Sequence, residues 1–315
     1  MDPELAVIAS RLPRSSLADP ALARQAIRDM FSAGAHRLDR SWTERVDVVS
    51  TDVAGADGSR VPIRIYTPRE EARTGAGLVH FHGGAFVIGD LDLSEHAASR
   101  YADLAGITVV DVDYRLAPEH PFPAGFDDSY AALCWTADHC NDLGIDRTRI
   151  AVGGHSAGGG LAAAVALAAR DRGGPALSFQ LLLYPVLDDR LTTRSVREML
   201  DTPMWTAESA VHMWQHYLAE RAGQPDVSAY AAPARAADAK GGLGGLPPAY
   251  LLACELDPLR DEDITYALRL MEDGVSVDLH VVAGAYHGFD GLPSQLSRRT
   301  SAEIIEVLRR WVALS

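Results

Sequence analysis

The run Gly154-His155-Ser156-Ala157-Gly158 joins an apolar stretch, Arg149-Ile150-Ala151-Val152-Gly153, to an alanine- and leucine-rich stretch from Gly159 to Arg170. The first reads as a buried strand and the second as a helix. Only a tight turn fits between them, and Ser156 stands at its apex. A serine held there is pushed clear of its own backbone at the N-terminus of a helix, which is the geometry an acyl-transfer nucleophile requires.

The same alternation runs along the chain. Strands are predicted at Val46–Val49 and Arg60–Tyr66, on either side of the turn Gly55-Ala56-Asp57-Gly58. Further strands are predicted at Gly77–Phe81, Ile107–Val112, Ile150–Gly153, Phe179–Tyr184, Tyr250–Cys254 and Val277–Val282. Helices are predicted at Ser94–Leu104, Asp127–Cys140, Gly159–Arg170, Ile264–Glu272 and Ala302–Val312. Short apolar runs alternating with longer helices imply an α/β fold, with a mostly parallel central sheet flanked by helices on both faces. A length of 315 residues suits one such domain, 1–315, carrying a small cap.

Two stretches break the rhythm. Residues 1 to about 38 read as helical, with Leu22, Ala26, Ile27, Met30 and Phe31 spaced along one segment behind Pro20. Ser195–Ala222 holds Met199, Leu200, Met204, Trp205, Val211, Met213, Trp214, Tyr217 and Leu218, with no strand between its helical pieces. Residues 1–38 and about 190–225 are therefore expected to form a helical cap above the sheet. Its methionines and tryptophans suit an irregular apolar pocket for an acyl group. Packing of the same side chains against the core is the plainer alternative. The run Gly241-Gly242-Leu243-Gly244-Gly245 reads as flexible, and no Gly-Lys-Ser/Thr follows it to make a phosphate loop.

Charge and cysteine usage narrow the partners. Lys and Arg number 29 against 43 Asp and Glu, a net charge of -14, so the surface repels phosphate backbones and no nucleic acid partner is expected. No apolar run reaches the roughly 18 residues that would suggest a membrane span. Met1-Asp2-Pro3-Glu4-Leu5 lacks the basic lead and apolar core of a signal peptide. Cys134, Cys140 and Cys254 are too few for a disulfide scaffold, sit in no metal-binding spacing, and fit a reducing, cytoplasmic setting. A Cys134–Cys140 bridge is conceivable, but separate thiols are the simpler reading.

Serine needs a base to take its proton, and the base needs a third group to orient it. In a parallel α/β sheet such residues gather at the carboxyl ends of strands. Asp257 follows the strand Tyr250–Cys254, and His287 follows Val277–Val282. The order Ser156, Asp257, His287 is the order of an α/β-hydrolase triad. Among rival bases, His155 leaves the turn in another direction and His280 lies inside a strand. His139, His212 and His216 sit on helices, and His212 and His216 lack a further ligand in metal spacing. Rival acids are Glu255, Asp261, Asp290 and, more weakly, Asp188, with Glu255 also a candidate support for the triad.

A tetrahedral intermediate needs N–H donors for its oxyanion. In His80-Phe81-His82-Gly83-Gly84-Ala85-Phe86, two glycines let the backbone approach a substrate closely. Gly83, Gly84 and Ala157 are the expected donors, with His82 ordering the loop through hydrogen bonds. The run Asp113-Tyr114-Arg115-Leu116-Ala117-Pro118-Glu119 and the following His120-Pro121-Phe122-Pro123 read as a stiff supporting loop, locked by a pairing of Arg115 with Glu119.

Taken together, these motifs resemble the hormone-sensitive-lipase-like family of α/β-hydrolases, the bacterial family IV carboxylesterases. Gly154-His155-Ser156-Ala157-Gly158 matches the family's Gly-Asp-Ser-Ala-Gly, with His155 in place of the acidic residue. His82-Gly83-Gly84-Ala85 matches His-Gly-Gly-Gly, and Ala85 departs from it in a way expected to alter the width of the acyl or alcohol pocket. Residues 114–119 match Tyr-Arg-Leu-Ala-Pro-Glu, 257–261 match Asp-Pro-Leu-x-Asp, and 287–289 match His-Gly-Phe. The resemblance implies hydrolysis of short- to medium-chain acyl esters through an acyl-enzyme, without a cofactor or metal, and it is the sole basis for expecting a homodimer. Amide or lactone cleavage would use the same triad. A non-catalytic receptor on this scaffold would have no need of all three residues.

Overall fold

The computed structural model describes residues 1–12, 16–34, 41–238 and 242–315. Helices α1 (Pro3–Ala9) and α2 (Pro20–Gly34) precede the strands β1 (Val46–Ala54), β2 (Arg60–Pro68) and β3 (Gly77–Phe81). Then come α3 (Leu91–Ala105), β4 (Thr108–Val112), α4 (Ala124–Asp138), α5 (Cys140–Leu143), β5 (Ile150–His155), α6 (Ala157–Asp171) and β6 (Phe179–Leu183). The chain ends with α7 (Arg194–Glu198), α8 (Ala207–Leu218), β7 (Ala249–Leu256), α9 (Arg260–Glu272), β8 (Val277–Tyr286) and α10 (Gln295–Leu314).

The strands form one eight-stranded sheet in the order β1-β2-β4-β3-β5-β6-β7-β8. All neighbouring pairs from β4 to β8 are parallel, and β2 runs antiparallel to both β1 and β4. Parallel strands covered on both faces must be apolar on both, and β3, β4 and β6 are buried at every residue. Alternate side chains feed two cores. Val79, Phe81, Ile150, Val152 and Leu182 pack with α4, α6 and α9. Leu78, Ala151, Leu181 and Leu183 pack with α3, α10 and Leu5 of α1. Helix α6 is buried from Ala157 to Ala169, which explains its content of alanine and glycine: small side chains let it lie close against the sheet.

The helix expected over residues 1–38 is broken in two. Pro20 opens α2, where its missing N–H is no loss, and Asp19 caps the helix by accepting from the N–H groups of Ala21 and Leu22. Residues 13–15 and 35–38 of that expectation, with Gly241 of the glycine-rich run, lie outside the described residues. The two N-terminal helices also serve different faces. Asp2 N–H donates to the Gly284 carbonyl and Leu5 fills the core beside α10, whereas α2 lies over the segment that follows β3. His216 of α8 donates to the Leu17 carbonyl, tying the inserted helices to the segment before α2. All three cysteines are free thiols. Among the described residues no helix is long and apolar enough to cross a membrane.

The expected pairing of Arg115 with Glu119 does not occur. Arg115 makes a two-pronged contact with Asp128 of α4, at 2.7 and 2.8 Å, and reaches Asp57 with its remaining nitrogen. Glu119 instead takes both terminal nitrogens of Arg24 in α2. The loop is locked, but to two other elements. The Asp128 side chain is 1% exposed and that of Glu119 54%. Arg115→Ala strands a buried carboxylate and is expected to cost about 3 kcal/mol. Glu119→Ala breaks an exposed pair and is expected to cost less than about 1 kcal/mol. Urea unfolding of the two variants beside the parent protein measures both.

Candidate active site

Strand β5 ends at His155 and α6 begins at Ala157, so one residue makes the whole turn. Ser156 takes φ 56° and ψ −119°, backbone that an L-residue adopts only at a cost of about 1–3 kcal/mol. Neighbours hold it there. Its N–H donates to the Leu183 carbonyl at 2.9 Å, and its carbonyl accepts from Gly160 at 3.0 Å and Val186 at 3.1 Å. The flanking glycines are required by contact: a Cβ on Gly154 would lie 2.4 Å, and one on Gly158 2.0 Å, from the Phe81 carbonyl oxygen.

The Ser156 hydroxyl meets Nε2 of His287 at 2.8 Å, and Nδ1 of His287 meets Oδ2 of Asp257 at 2.7 Å. Oδ1 of Asp257 accepts from the Leu259 N–H, which fixes the carboxylate plane. His287 follows β8 directly, and Gly288 at φ 69° turns the chain away behind it. Asp257 is fully buried, while Ser156 and His287 are nearly so. The imidazole is also gripped by two rings: Tyr184 edge-on with centroids 4.9 Å apart, and Trp205 of the inserted segment tilted over it at 5.5 Å.

The rival residues are occupied elsewhere. His155 points toward His80, Tyr101 and Asp290. His280 pairs with Glu303, His139 with the Trp135 carbonyl, and His212 with Glu208. Glu255 accepts from the Gly284 N–H, Asp261 from Ser195 and Arg260, and Asp188 from Arg190, so Glu255 gives the triad no direct support. Ser94, Asp111 and His80 form a second cluster of serine, carboxylate and imidazole. There the carboxylate lies in the middle, and both Ser94 Oγ and His80 Nδ1 bond to Asp111. With no contact to the imidazole, Ser94 has no base to take its proton. Behind Asp257, burial pushes the carboxyls of Glu262 and Asp263 well above the usual carboxylate range, which favours their neutral forms.

The segment after β3 presents bare amides. Among the described residues the N–H groups of Gly83 and Gly84 find no acceptor within the fold, and Ala157, first in its helix, has no intrahelical partner for its own. His82 shapes this loop: Nδ1 contacts the Gly83 carbonyl at 2.9 Å, and its ring stacks on Tyr114 at 4.3 Å. Burial lowers the His82 pKa, favouring the neutral ring that donates at Nδ1. Arg24 closes the loop from above, donating to the carbonyls of Val87 and Ala117. Ala85, where the resembling family has glycine, is buried at φ 58°. A cavity of about 570 Å³ lies under α8, lined in part by Leu191, Val211 and Trp214, and it touches none of Ser156, Asp257 and His287. Trp205, Met213 and Trp214 of the cap are all buried in the core, as the plainer alternative expects; Trp214 also lines part of the cavity and Trp205 also covers the imidazole.

A family model of the alpha/beta hydrolase fold matches residues 78–291, more than half of the chain. Esterase LipI of Mycobacterium tuberculosis is 38% identical over 305 residues, covering 96% of this chain and 92% of that protein. Carboxylesterase NlhH of the same species is 42% identical over 237 residues, covering 75% and 73%. The solved structure of a bacterial heroin esterase superposes with a TM-score of 0.93 at 43% identity, over 99% of this chain and 98% of that one.

The turn geometry separates two substitutions that look equally mild. Gly158→Ala drives a Cβ into the Phe81 carbonyl and is expected to cost at least about 3 kcal/mol. Ala85→Gly relieves a left-handed alanine and is expected to be neutral or to stabilise by up to about 1 kcal/mol. Denaturant midpoints of the two variants decide the matter.

Proposed function

This chain belongs to the hormone-sensitive-lipase-like carboxylesterases of the α/β-hydrolase family and is a serine-type ester hydrolase, and we propose that Ser156, His287 and Asp257 carry its reaction. The observation that supports this assignment is the unbroken chain of two hydrogen bonds, Ser156–His287–Asp257, in a water-poor site at the carboxyl ends of three strands.

In this reading Nε2 of His287 takes the Ser156 proton as the oxygen attacks the ester carbonyl. Asp257 fixes the imidazole as the Nδ1–H tautomer and stabilises the cation that forms. The free amides of Gly83, Gly84 and Ala157 receive the oxyanion. Each such donor is worth about 3 kcal/mol in related chemistry. His287 then protonates the leaving alcohol, and water, activated by the same imidazole, releases the acid. Trp205 covers the imidazole, and in this reading α2 and residues about 190–225 act as the cap, whereas α1 packs on the other face of the sheet beside α10. Short- to medium-chain acyl esters are the proposed substrates. The naming of a Pseudomonas putida relative, 35% identical over 239 residues, as an ethyl acetate hydrolase supports the short end of that range.

Ser156→Ala is expected to lower kcat on a p-nitrophenyl ester at least about ten-thousand-fold. Asp257→Asn is expected to lower it about a thousand-fold or more, with KM little changed. Steady-state kinetics on ester, aryl amide and lactone panels check both, and esters are expected to give the highest kcat/KM. Ester turnover retained by purified Ser156→Ala protein contradicts the assignment.

A further inference from the structure

The residue before Ser156 is His155, where the resembling family carries an acidic residue. Its ring packs toward Tyr101 of α3, inside a partly buried polar chain. Nδ1 of His80 contacts Asp111 at 2.7 Å, and Nε2 of His80 contacts Nδ1 of His155 at 3.4 Å. Nε2 of His155 in turn lies 3.2 Å from the Tyr101 hydroxyl and 3.5 Å from Oδ2 of Asp290. The far oxygen of Asp290 accepts from the Tyr184 hydroxyl at 2.5 Å.

The two ends of this chain sit beside the two halves of the triad. His155 adjoins the nucleophile in sequence. Asp290 lies three residues past the base, in the short helical turn Phe289–Gly291. Tyr184 connects them in space, since its ring lies 6.0 Å from that of His155 and edge-on to that of His287. The arrangement is complementary. Burial would raise the Asp290 carboxyl, yet its contacts with His155 and Tyr184 outweigh burial and hold it below its ordinary value. An acidic residue at position 155 would face Asp290 with like charge, so the histidine here and the aspartate across from it are a matched pair.

We propose that His155, Asp290 and Tyr184 form a positioning bridge that ties the loop carrying the base to the turn carrying the nucleophile, and so holds the His287 ring in line with the Ser156 oxygen. The inference rests on the reading of Ser156, His287 and Asp257 as the reacting residues. None of the three bridge residues touches the reacting atoms. They act through the orientation of His287, where a misplacement of about 1 Å costs on the order of a hundredfold in rate.

The test is a double-mutant cycle of His155→Asn and Asp290→Asn, with kcat expressed per active site titrated by a chromogenic organophosphonate. Each single variant is expected to lose roughly ten- to a hundredfold in kcat with KM within threefold, and the double variant to lose no more than the worse single. His155→Asp is expected to fall below His155→Asn, because two carboxylates then face each other. Single variants within twofold of the parent per titrated site, losses that multiply in the double variant, or a loss carried by KM would each overturn the bridge. If either asparagine variant fails to fold, Tyr184→Phe removes only the hydroxyl and reads the same link: kcat per site is expected to fall at least threefold, and an unchanged value overturns the proposal. Mass spectrometry of the titrated parent keeps the two readings apart. A phosphonate on a residue other than Ser156 refutes the triad, whereas a label on Ser156 with unaffected variants refutes the bridge alone.

Discussion

The turn at Ser156 is the constraint on which the site depends. One residue must reverse the chain between a buried strand and a buried helix, and it does so in backbone that a serine disfavours. Hydrogen bonds with Leu183 and Val186 of the neighbouring segment, and one from Gly160 of α6, offset that cost, and two glycines allow the turn to press against the end of β3. That close approach brings the serine oxygen alongside the segment after β3, where the amides of Gly83 and Gly84 have no acceptor among the described residues. The proposed nucleophile and its candidate donors thus meet at a single packing contact between β3 and the start of α6.

The other two residues arrive by the same logic. Parallel strands end on one edge of the sheet, so the loops after β5, β7 and β8 converge although 131 residues separate Ser156 from His287. What differs from strand to strand is the support. Asp257 is held by the backbone of its own loop, whereas His287 is held by rings from two other elements. The imidazole therefore depends on distant parts of the chain, which is why Trp205 in the inserted segment and Tyr184 after β6 belong to the site.

Much of this was legible in the sequence, for a physical reason. Strand-end loops with special backbone needs leave fixed residues in order, and the alternation of strands and helices fixes which edge they share. The positions of Ser156, Asp257 and His287 at strand ends, and the elements behind them, are legible in that way. Interactions between loops distant in sequence leave no such trace. Arg115 and Glu119 are four apart and of opposite charge, yet each binds a partner from another element, because the proline-rich loop between them is not a helix that would set them side by side. Arg24 gave no signal at all, since an arginine on an amphipathic helix looks the same whether it faces water or clasps a loop. The break before α2 is signalled only by Pro20, which opens that helix, and the apolar spacing behind it says nothing of where the preceding helix ends.

A crystal structure of the protein inactivated by an acyl-chain phosphonate tests the central claim most directly, because the tetrahedral phosphorus imitates the intermediate. The expected result is phosphorus bonded to the Ser156 oxygen, with the phosphonyl oxygen about 3 Å from the N–H groups of Gly83, Gly84 and Ala157, and His287 beside the leaving-group position. Phosphorus on any other residue, or a phosphonyl oxygen turned away from those amides, would contradict it.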